Sequence, residues 1–263
     1  MTTVPMVTEA YGRSVLGKEI TLHRTEDFHA GTLIIAGIHG DERATVALAE
    51  AFVERHLYTG HAGDNVAVIP IANPDSYQHN SRYNANGVDI NRNFETEWSP
   101  ESEEPSGPSP YSEPETRALR DLILRTRPAR VVTLHWALGE LDADGIQSTP
   151  LAEAMWNALT PEEKAPYRLR VWEIETAAPN IYSDPCPGSL GQWLGFGLRY
   201  GDGRRPAIVT LELPYDPSIP RPAVLPENHL ETVRAWWNRD PARYLEGVER
   251  GVFKMLLAAC HHR

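Results

Sequence analysis

A length of 263 residues accommodates one large α/β domain or two small ones, and 41% hydrophobic residues are enough to form a sizeable core. The formal net charge of −11 argues against nucleic acid or an anionic membrane as the main partner. No run of 18 apolar residues and no signal peptide is found, and two cysteines are too few for a disulfide scaffold, so we expect a cytoplasmic protein with free thiols at Cys186 and Cys260.

Short β-branched apolar runs alternate along the chain with segments of helical spacing. The predicted strands are residues 32–37, 66–71, 130–134 and 207–211. The predicted helices are residues 42–55, a helix after a capping box at 112–115, and a helix that starts at Asp240-Pro241. Continuous Val, Ile and Leu runs are typical of strands covered on both faces. We therefore predict an α/β fold with helices on both sides of a parallel or mixed sheet.

The regions between these elements carry few regular patterns. Residues 95–110 are rich in Pro, Ser and Glu, and residues 176–206 contain several prolines and glycines, so both are predicted to be mainly loop. Neither repeats nor a shift in composition mark a boundary between domains. We therefore expect residues 1–263 to form a single domain.

The first motif with chemical meaning is Gly37-Ile38-His39-Gly40-Asp41-Glu42, where the first predicted strand gives way to a helix. His39 and Glu42 are three residues apart across this corner, so an imidazole and a carboxylate can converge on one point. Zinc accepts this pair of ligands, and catalytic zinc sites use three protein ligands. Alone the pair is a weak signal, because a capping or solvated histidine is the common alternative.

Two further strand ends carry suitable side chains. His135 follows strand 130–134 and Glu212 follows strand 207–211. Since functional sites in α/β sheets gather at the carboxyl ends of strands, His135 is a candidate third zinc ligand and Glu212 a candidate general base. The alternatives are a core histidine with satisfied hydrogen bonds and a carboxylate paired with a nearby arginine.

The loop-rich stretch of residues 73–94 follows the second of these strands and supplies basic groups. Arg82 and Arg92 offer planar guanidinium forks that match a carboxylate, and Asn91 can add a donor. One arginine would stabilise a tetrahedral oxyanion and the other would hold a free carboxylate of the substrate. A polar surface loop with solvated arginines is the alternative.

The chain resembles the metallocarboxypeptidase superfamily of zinc peptidases in the order of its motifs. These are His-x-x-Glu, Asn-Pro-Asp, Gly-Val-Asp-x-Asn-Arg-Asn-Phe, a lone His after a strand and a late Glu. The resemblance covers roughly residues 11–214 and implies one α/β domain around a twisted, mixed, mostly eight-stranded sheet. It also implies one zinc ion bound by His39, Glu42 and His135. The other implied roles are polarisation of the scissile carbonyl by Arg82, a grip on the carboxylate of the leaving residue by Asn91 and Arg92, and general base and acid by Glu212.

Within this superfamily the chain is most similar to the bacterial murein peptide amidases, at residues 11–17, 82–94, 112–116 and 187–191. The last match adds Ser189 to the implied substrate-binding residues. Those enzymes are cytoplasmic and cut the amide bond between γ-D-glutamate and meso-diaminopimelate in recycled cell-wall peptides. The implied partner is a small peptide with a free carboxylate, with no nucleic acid or membrane, and the oligomeric state is not predicted.

The chain also departs from the superfamily pattern. Ser76 replaces the usual glycine after Asn-Pro-Asp, and the tyrosine that follows Gly-Ser in digestive carboxypeptidases is absent, with Tyr182 or Tyr200 as candidates to replace it. A digestive-type preference for bulky apolar residues is therefore not expected.

The distal end of diaminopimelate needs partners of its own. Glu173, Glu175, Asp184 and the loop 183–192 are candidates for this role by their position in the sequence. Two other functions stay open: another metallocarboxypeptidase or a deacylase of N-acyl amino acids, and a non-catalytic zinc- or peptide-binding module. An intact general base at Glu212 argues against the second.

Overall fold

The computed structural model describes residues 5–171 and 186–262, and eight strands of these residues form one mixed sheet. The strands are β1 Met6–Arg13, β2 Glu19–Thr25, β3 Thr32–Ile35, β4 Val66–Ile69, β5 Arg130–Trp136, β6 Glu140–Ala143, β7 Arg168–Arg170 and β8 Ala207–Leu213. Their order across the sheet is β1-β2-β4-β3-β5-β8-β6-β7. The four central strands β4, β3, β5 and β8 are parallel, and the antiparallel pairs β1–β2, β2–β4 and β6–β8 lie toward the edges. The expected mixed, eight-stranded sheet is confirmed.

The described residues also form eight α-helical segments, of which the last two follow β8. They are α1 Arg43–Phe52, α2 Pro74–His79, α3 Pro114–Thr126, α4 Thr149–Asn157, α5 Pro161–Lys164, α6 Leu190–Gln192, α7 His229–Arg239 and α8 Pro241–His261. Helix α1 continues as a π-helical turn, Val53–Leu57, and α6 continues as another, Trp193–Gly197. Among the helices of the described residues, none has the length and apolar character needed to cross a membrane.

Two apolar cores cover the two faces of the sheet, because successive side chains of a strand point to opposite sides. Ile34 and Val132 belong to one core with residues of α1, α4 and α8. Leu33 and Val131 belong to the other with residues of α3 and of the segment 190–198. The prediction of helices on both faces is therefore confirmed, and it explains why the central strands carry no polar alternation.

Strand ends differ from the predicted ones in a way that matters for the site. Strands β5 and β8 extend two residues beyond their predicted ends, to Trp136 and Leu213, so His135 and Glu212 lie within strands and are direct partners in the parallel ladder. Ladder pairing fixes both backbones. The side chains that follow the apolar runs are therefore held by the sheet rather than by a flexible loop.

Both predicted helices form, but one of the two predicted caps is wrong and the other is confirmed. The capping box at residues 112–115 does not form: α3 has Glu113 at its N-cap position without a side-chain cap, and the Glu115 carboxylate accepts a hydrogen bond from Val15 N at 2.9 Å instead. The Glu115 side chain, which the local pattern assigned to the cap, thus binds a backbone N–H group 100 residues away in the sequence. At the start of α8, Asp240 accepts from Arg243 N at 3.1 Å, as predicted.

Helix α8 holds the ends of the two strands that carry His135 and Glu212. The indole Nε1 of Trp136 donates to the Tyr244 hydroxyl at 2.8 Å, and that hydroxyl donates to the carbonyl oxygen of Pro214 at 2.5 Å. All three groups are buried. The last helix is therefore part of the support of the strand ends. Cys186 and Cys260 are both free, as predicted.

Candidate active site

A cavity of about 650 Å³ lies where β5, β6 and β8 approach the loops that follow β3 and β4. The eight residues whose catalytic, metal-binding or substrate-binding roles the family resemblance implies all line it. These are His39, Glu42, Arg82, Asn91, Arg92, His135, Ser189 and Glu212. The fold thus brings together side chains that are up to 173 positions apart in the sequence, from His39 to Glu212.

The corner after β3 depends on a glycine. A Cβ atom at Gly40 would lie 2.0 Å from the backbone carbon of Ser76, at the start of α2, so only glycine permits this approach. The close packing places His39 beside the loop that carries the basic residues. Ser76, which departs from the family pattern, is accommodated there by donating its hydroxyl to Asn73 O at 2.9 Å.

His39, Glu42 and His135 offer atoms that all lie within 4.8 Å of one another, and all three residues are buried. His39 Nδ1 lies 2.7 Å from Glu42 Oε1, and His135 Nδ1 lies 3.2 Å from Glu42 Oε2. Glu42 Oε2 has no hydrogen-bond partner among the residues that the structure describes. Two imidazole nitrogens and a buried, incompletely satisfied carboxylate are a donor set that suits Zn²⁺.

The electrostatics of this group favour a positive charge at its centre. Burial works against ionisation, but the carboxylates of Glu42 and Asp89 outweigh it and raise the pKa of His39 to about 9. In the same way, His39 and His135 outweigh burial and lower the pKa of Glu42 to about 2. Burial dominates at His135 and lowers its pKa, so that imidazole is held neutral. A neutral imidazole is the form that binds a metal ion.

Asp89 is a site residue to which sequence reasoning assigned no role. Its Oδ1 lies 3.1 Å from His39 Nε2, and its Oδ2 forms an ion pair with Arg82 Nη2 at 2.8 Å. When His39 is neutral, a proton on Nε2 leaves Nδ1 as the lone-pair atom that faces Glu42 and His135. The position of Asp89 within the Gly-Val-Asp-x-Asn-Arg motif was the signal that could have identified it.

Arg82 is held beside the histidines by acidic neighbours. Besides Asp89, its Nε lies 3.6 Å from Glu104 Oε1, and its Nη1 lies 3.4 Å from His39 Nδ1. Glu104 comes from the loop 95–110 and also accepts from the Tyr83 hydroxyl at 2.7 Å. The guanidinium therefore lies at the edge of the histidine group with its orientation fixed from two sides.

Glu212 stands in β8 opposite His135 in β5 and opposite Glu140 in β6. Its Oε2 is buried and has no hydrogen-bond partner among the described residues. Burial, followed by the negative charges of Glu42 and Glu140, raises the pKa of Glu212 to about 8. A carboxylate in this state has a strong tendency to hold a proton, as a group that moves protons needs.

Asn91, Arg92 and Ser189 form the adjoining wall. Asn91 Oδ1 accepts from Leu190 N at 3.0 Å, and its Nδ2 has no hydrogen-bond partner within the described parts of the chain. Arg92 Nη1 donates to Asn91 O at 2.8 Å. The Ser189 hydroxyl accepts from Gln192 N at 3.0 Å and so caps α6. A Cβ atom at Gly188 would lie 2.2 Å from Arg92 O, so this glycine lets the two segments meet.

The wall across the cavity consists of charged residues that sequence reasoning missed. Asp142 in β6, Asp144 just after it and Arg170 in β7 all line the cavity beside Glu140. Both strands are only three or four residues long, and their pairing has no strong local signature in the sequence. The sequence therefore did not indicate that these charged residues form a group. The pairing of β6 with β7 brings them together.

The remaining sequence-based candidates differ in their outcome. From the loop 183–192, Cys186 and residues 189–192 line the cavity. Glu173, Glu175, Tyr182 and Asp184 lie outside the described residues. Tyr200 is 5% exposed, donates its hydroxyl to Pro128 O at 2.9 Å and belongs to the core that contains α3. The expectation that Tyr200 could reach the substrate is therefore wrong, because its hydroxyl is already engaged away from the cavity.

The sequence of this chain matches a model of the family described as zinc carboxypeptidase over residues 2–138. It is 30% identical over 252 residues to murein peptide amidase A of Vibrio campbellii, which covers 88% of each chain. It is 40% identical over 150 residues to murein peptide amidase A of Escherichia coli strain K12, which covers 50% of this chain and 60% of that protein. The chain thus spans less than two thirds of the length of that E. coli relative.

Solved structures share the architecture. The murein-tripeptide amidase from Escherichia coli O157 superimposes with a TM-score of 0.61 at 27% identity, covering 96% of this chain and 94% of that one. Carboxypeptidase A from Helicoverpa armigera superimposes with a TM-score of 0.64 at 19% identity, covering 98% of this chain and 69% of that one. The second match concerns the fold alone.

Proposed function

The chain belongs to the zinc carboxypeptidase family, and from this premise we propose that it is a zinc-dependent hydrolase of the amide bond between γ-D-glutamate and meso-diaminopimelate in murein peptides. The single observation that carries the proposal is the convergence of eight site residues on one cavity. Relatives named murein peptide amidase A support the choice of substrate. We further propose that residues 1–263 act as one catalytic domain in the cytoplasm, where peptides released from the cell wall are recycled.

The residues that would hold the zinc ion are His39, Glu42 and His135. Two neutral ligands and one anionic ligand leave a divalent cation with a net positive charge. When bound, zinc supplies Lewis-acid chemistry, because it polarises a carbonyl oxygen and makes water a better nucleophile near neutral pH. Asp89 supports the arrangement by fixing the proton of His39 on Nε2.

Glu212 moves the protons of the reaction. Its carboxylate accepts a proton from the attacking water molecule and then donates it to the leaving nitrogen as the amide bond breaks. The lone oxygen without a hydrogen-bond partner, Oε2, is the atom suited to this exchange. A neighbouring cation favours the ionised form of Glu212 over the protonated one, which prepares it to act as a base first.

Arg82 stabilises the negative charge that grows on the carbonyl oxygen. Its contacts with Asp89 and Glu104 set the orientation of the guanidinium before the substrate arrives, so little reorganisation is needed during the reaction. Arg92 and the amide of Asn91 bind the free carboxylate next to the scissile bond, and Ser189 shapes the same wall as the cap of α6.

The test is to incubate the zinc-loaded protein with a mixed pool of muropeptides, ordinary peptides and N-acyl amino acids and to identify the products by mass spectrometry. Release of meso-diaminopimelate from L-Ala-γ-D-Glu-meso-diaminopimelate is expected. Cleavage of N-acyl amino acids or ordinary peptides alone would assign the protein to another activity of the family. Bound zinc without turnover of any substrate would indicate a binding module.

The carboxylate grip has its own test. Replacing Arg92 with alanine should raise the KM for the tripeptide roughly tenfold or more and leave the zinc content unchanged, because a charge-assisted pair to the substrate is lost. The matched control is Arg13→Ala, which removes an exposed arginine paired with Glu19 outside the cavity. An unchanged KM would remove Arg92 from the binding site.

A further inference from the structure

The wall of the cavity formed by Asp142, Asp144 and Arg170 contains charged atoms that have no partner among the residues the structure describes. Asp144 Oδ2 accepts from the Thr210 hydroxyl at 2.8 Å. In the described parts of the chain, no Lys, Arg or His side chain lies within ion-pair distance of this carboxylate. Gly191 leaves the room that Asp144 needs, since a Cβ atom there would lie 2.7 Å from Oδ2. The carboxylate is thus placed at the cavity without a counterion from residues 5–171 or 186–262.

The guanidinium of Arg170, in the same wall, has only part of its nitrogen atoms paired with described residues. Within the described residues its Nη1 alone forms ion pairs, with Asp142 Oδ2 at 2.9 Å and with Glu140 Oε2 at 3.2 Å. Its Nη2 and Nε have no partner among the described residues. Since a guanidinium can bind a carboxylate through two donors, the remaining nitrogens are sufficient for one more anion.

These two groups lie next to each other. Arg170 and Asp142 are direct partners in the β6–β7 ladder, and Asp144 follows Asp142 by two residues, the spacing that returns a side chain to the same face of a strand. Burial, and then the charge of Asp142, raises the pKa of Asp144 to about 8, against a smaller opposing effect of Arg170. The proximity of a lone acid and a partly free base makes this wall complementary to a ligand group that carries both charges.

We propose that Asp144 and Arg170 bind the far end of the leaving residue, an α-amino acid group with one ammonium and one carboxylate on the same carbon. Asp144 accepts from the ammonium and Arg170 donates to the carboxylate. The inference rests on the proposed function, in which the leaving residue is held at its near carboxylate by Arg92. The enzyme thereby selects diaminopimelate by reading both of its ends.

Four leaving residues separate the two contacts. Tripeptides L-Ala-γ-D-Glu-X are prepared with X as meso-diaminopimelate, 2-aminopimelate, lysine or norleucine. 2-Aminopimelate lacks only the distal ammonium, lysine lacks only the distal carboxylate, and norleucine lacks both. A site that binds a charged group rejects an analogue without it, so kcat/KM should fall roughly ten- to hundredfold for each deletion in the wild-type protein.

Two variants then assign each contact. Asp144→Asn should abolish the preference for diaminopimelate over 2-aminopimelate but keep the preference over lysine. Arg170→Gln should do the reverse. Both variants should keep the cooperative thermal unfolding transition and the zinc content of the wild-type protein, a result that a misfolded protein would not give. The surface variant Asp202→Asn, which alters an acid paired with Arg204, serves as the control for a lost negative charge.

The wild-type measurement decides the proposal even if a variant fails to fold. Preferences below about threefold for both single deletions would overturn it and leave the proposed function standing, because the amide bond would still be cleaved. Preferences in the wild-type protein that neither variant changes would also overturn it, since the charges would then be read elsewhere. Failure to cleave any γ-D-glutamyl amide would instead refute the proposed function.

Discussion

Two buried carboxylates that face each other across neighbouring strands have opposite surroundings. Glu140 in β6 and Glu212 in β8 are direct ladder partners. The arginine side of the cavity holds Glu140 among three guanidinium groups, with Arg221 Nη2 at 2.6 Å, Arg170 Nη1 at 3.2 Å and an ion pair to Arg168. The catalytic side holds Glu212 with an oxygen that has no hydrogen-bond partner within the described chain.

The difference separates two uses of a buried acid. A carboxylate surrounded by bases stabilises the fold, because removing either partner leaves an uncompensated charge. A carboxylate that is buried without a counterion lowers the stability of the fold. It is retained where a bound ligand or a proton provides the positive charge that the protein lacks at that point. Burial alone therefore does not identify a catalytic acid. The charged and hydrogen-bonding neighbours of the carboxylate have to be considered as well.

The largest expected effect comes from Glu212→Gln. It removes the proton acceptor while keeping the shape of the side chain, so kcat on the tripeptide should fall by about 10³–10⁴-fold. Zinc content, measured by metal analysis, and the thermal unfolding midpoint should stay close to the wild-type values. The control is Glu9→Gln, a surface acid paired with Arg24. Near-normal turnover in Glu212→Gln would show that the base lies elsewhere.

Glu140→Gln should give the opposite result. The change removes a buried counterion from three half-buried arginines, so the free energy of unfolding should fall by about 3–5 kcal/mol, as urea denaturation at constant zinc concentration measures. The kcat of the folded fraction should fall far less than in Glu212→Gln. If turnover is lost while stability is unchanged, the distinction between the two carboxylates is not valid.

The variant Arg82→Ala tests whether Arg82 belongs to the catalytic side of the cavity. Loss of a preorganised donor to the oxyanion should lower kcat by about 10²–10³-fold with a smaller change in KM, measured by steady-state kinetics. Because Arg82 also contacts Asp89, zinc content is measured in parallel to separate a loss of metal from a loss of stabilisation. The exposed Arg13→Ala variant should behave like the wild type.

The smallest effect concerns pH and Asp144. Its folded-state pKa is raised from the usual value to about 8, so the native protein binds a proton that the unfolded chain has released. The stability from this proton is present at low pH and is lost as pH rises from about 4 through 8, with a slope of at most about 1.4 kcal/mol per pH unit.

Asp144→Asn removes that titration. Urea denaturation between pH 5 and pH 8 should therefore show a weaker decrease of stability with rising pH in the variant than in the wild type. Identical slopes would mean that Asp144 is already ionised in the folded protein. In that case a cation would be bound beside it, and the surroundings of Asp144 would resemble those of Glu140.

The sequence allowed the central sheet and the residues at its strand ends to be predicted, because apolar runs mark buried strands and their ends carry isolated polar residues. His135 and Glu212 were found in this way. Arg82, Asn91 and Arg92 came from the loop-rich stretch 73–94, and Ser189 was implied only by the family resemblance. The charged wall of Asp142, Asp144 and Arg170 could not be predicted, since its meaning depends on the pairing of two very short strands.

The same reason explains why Glu115 was misjudged. Its local pattern fits a cap, but a backbone N–H group at Val15 binds the side chain in the folded protein. Local patterns are reliable where the partners are local, and they fail where folding brings a distant partner.

The hydrogen bonds from Trp136 through Tyr244 to Pro214 have a consequence for the timing of synthesis. A growing chain that has released β5 and β8 from the ribosome still lacks the hydroxyl that joins their ends. The same helix also accepts a hydrogen bond from Thr32 at Ala259 O, at 3.2 Å. The groups of α8 that bind β3, β5 and the segment after β8 are therefore all present only after translation has passed residue 259.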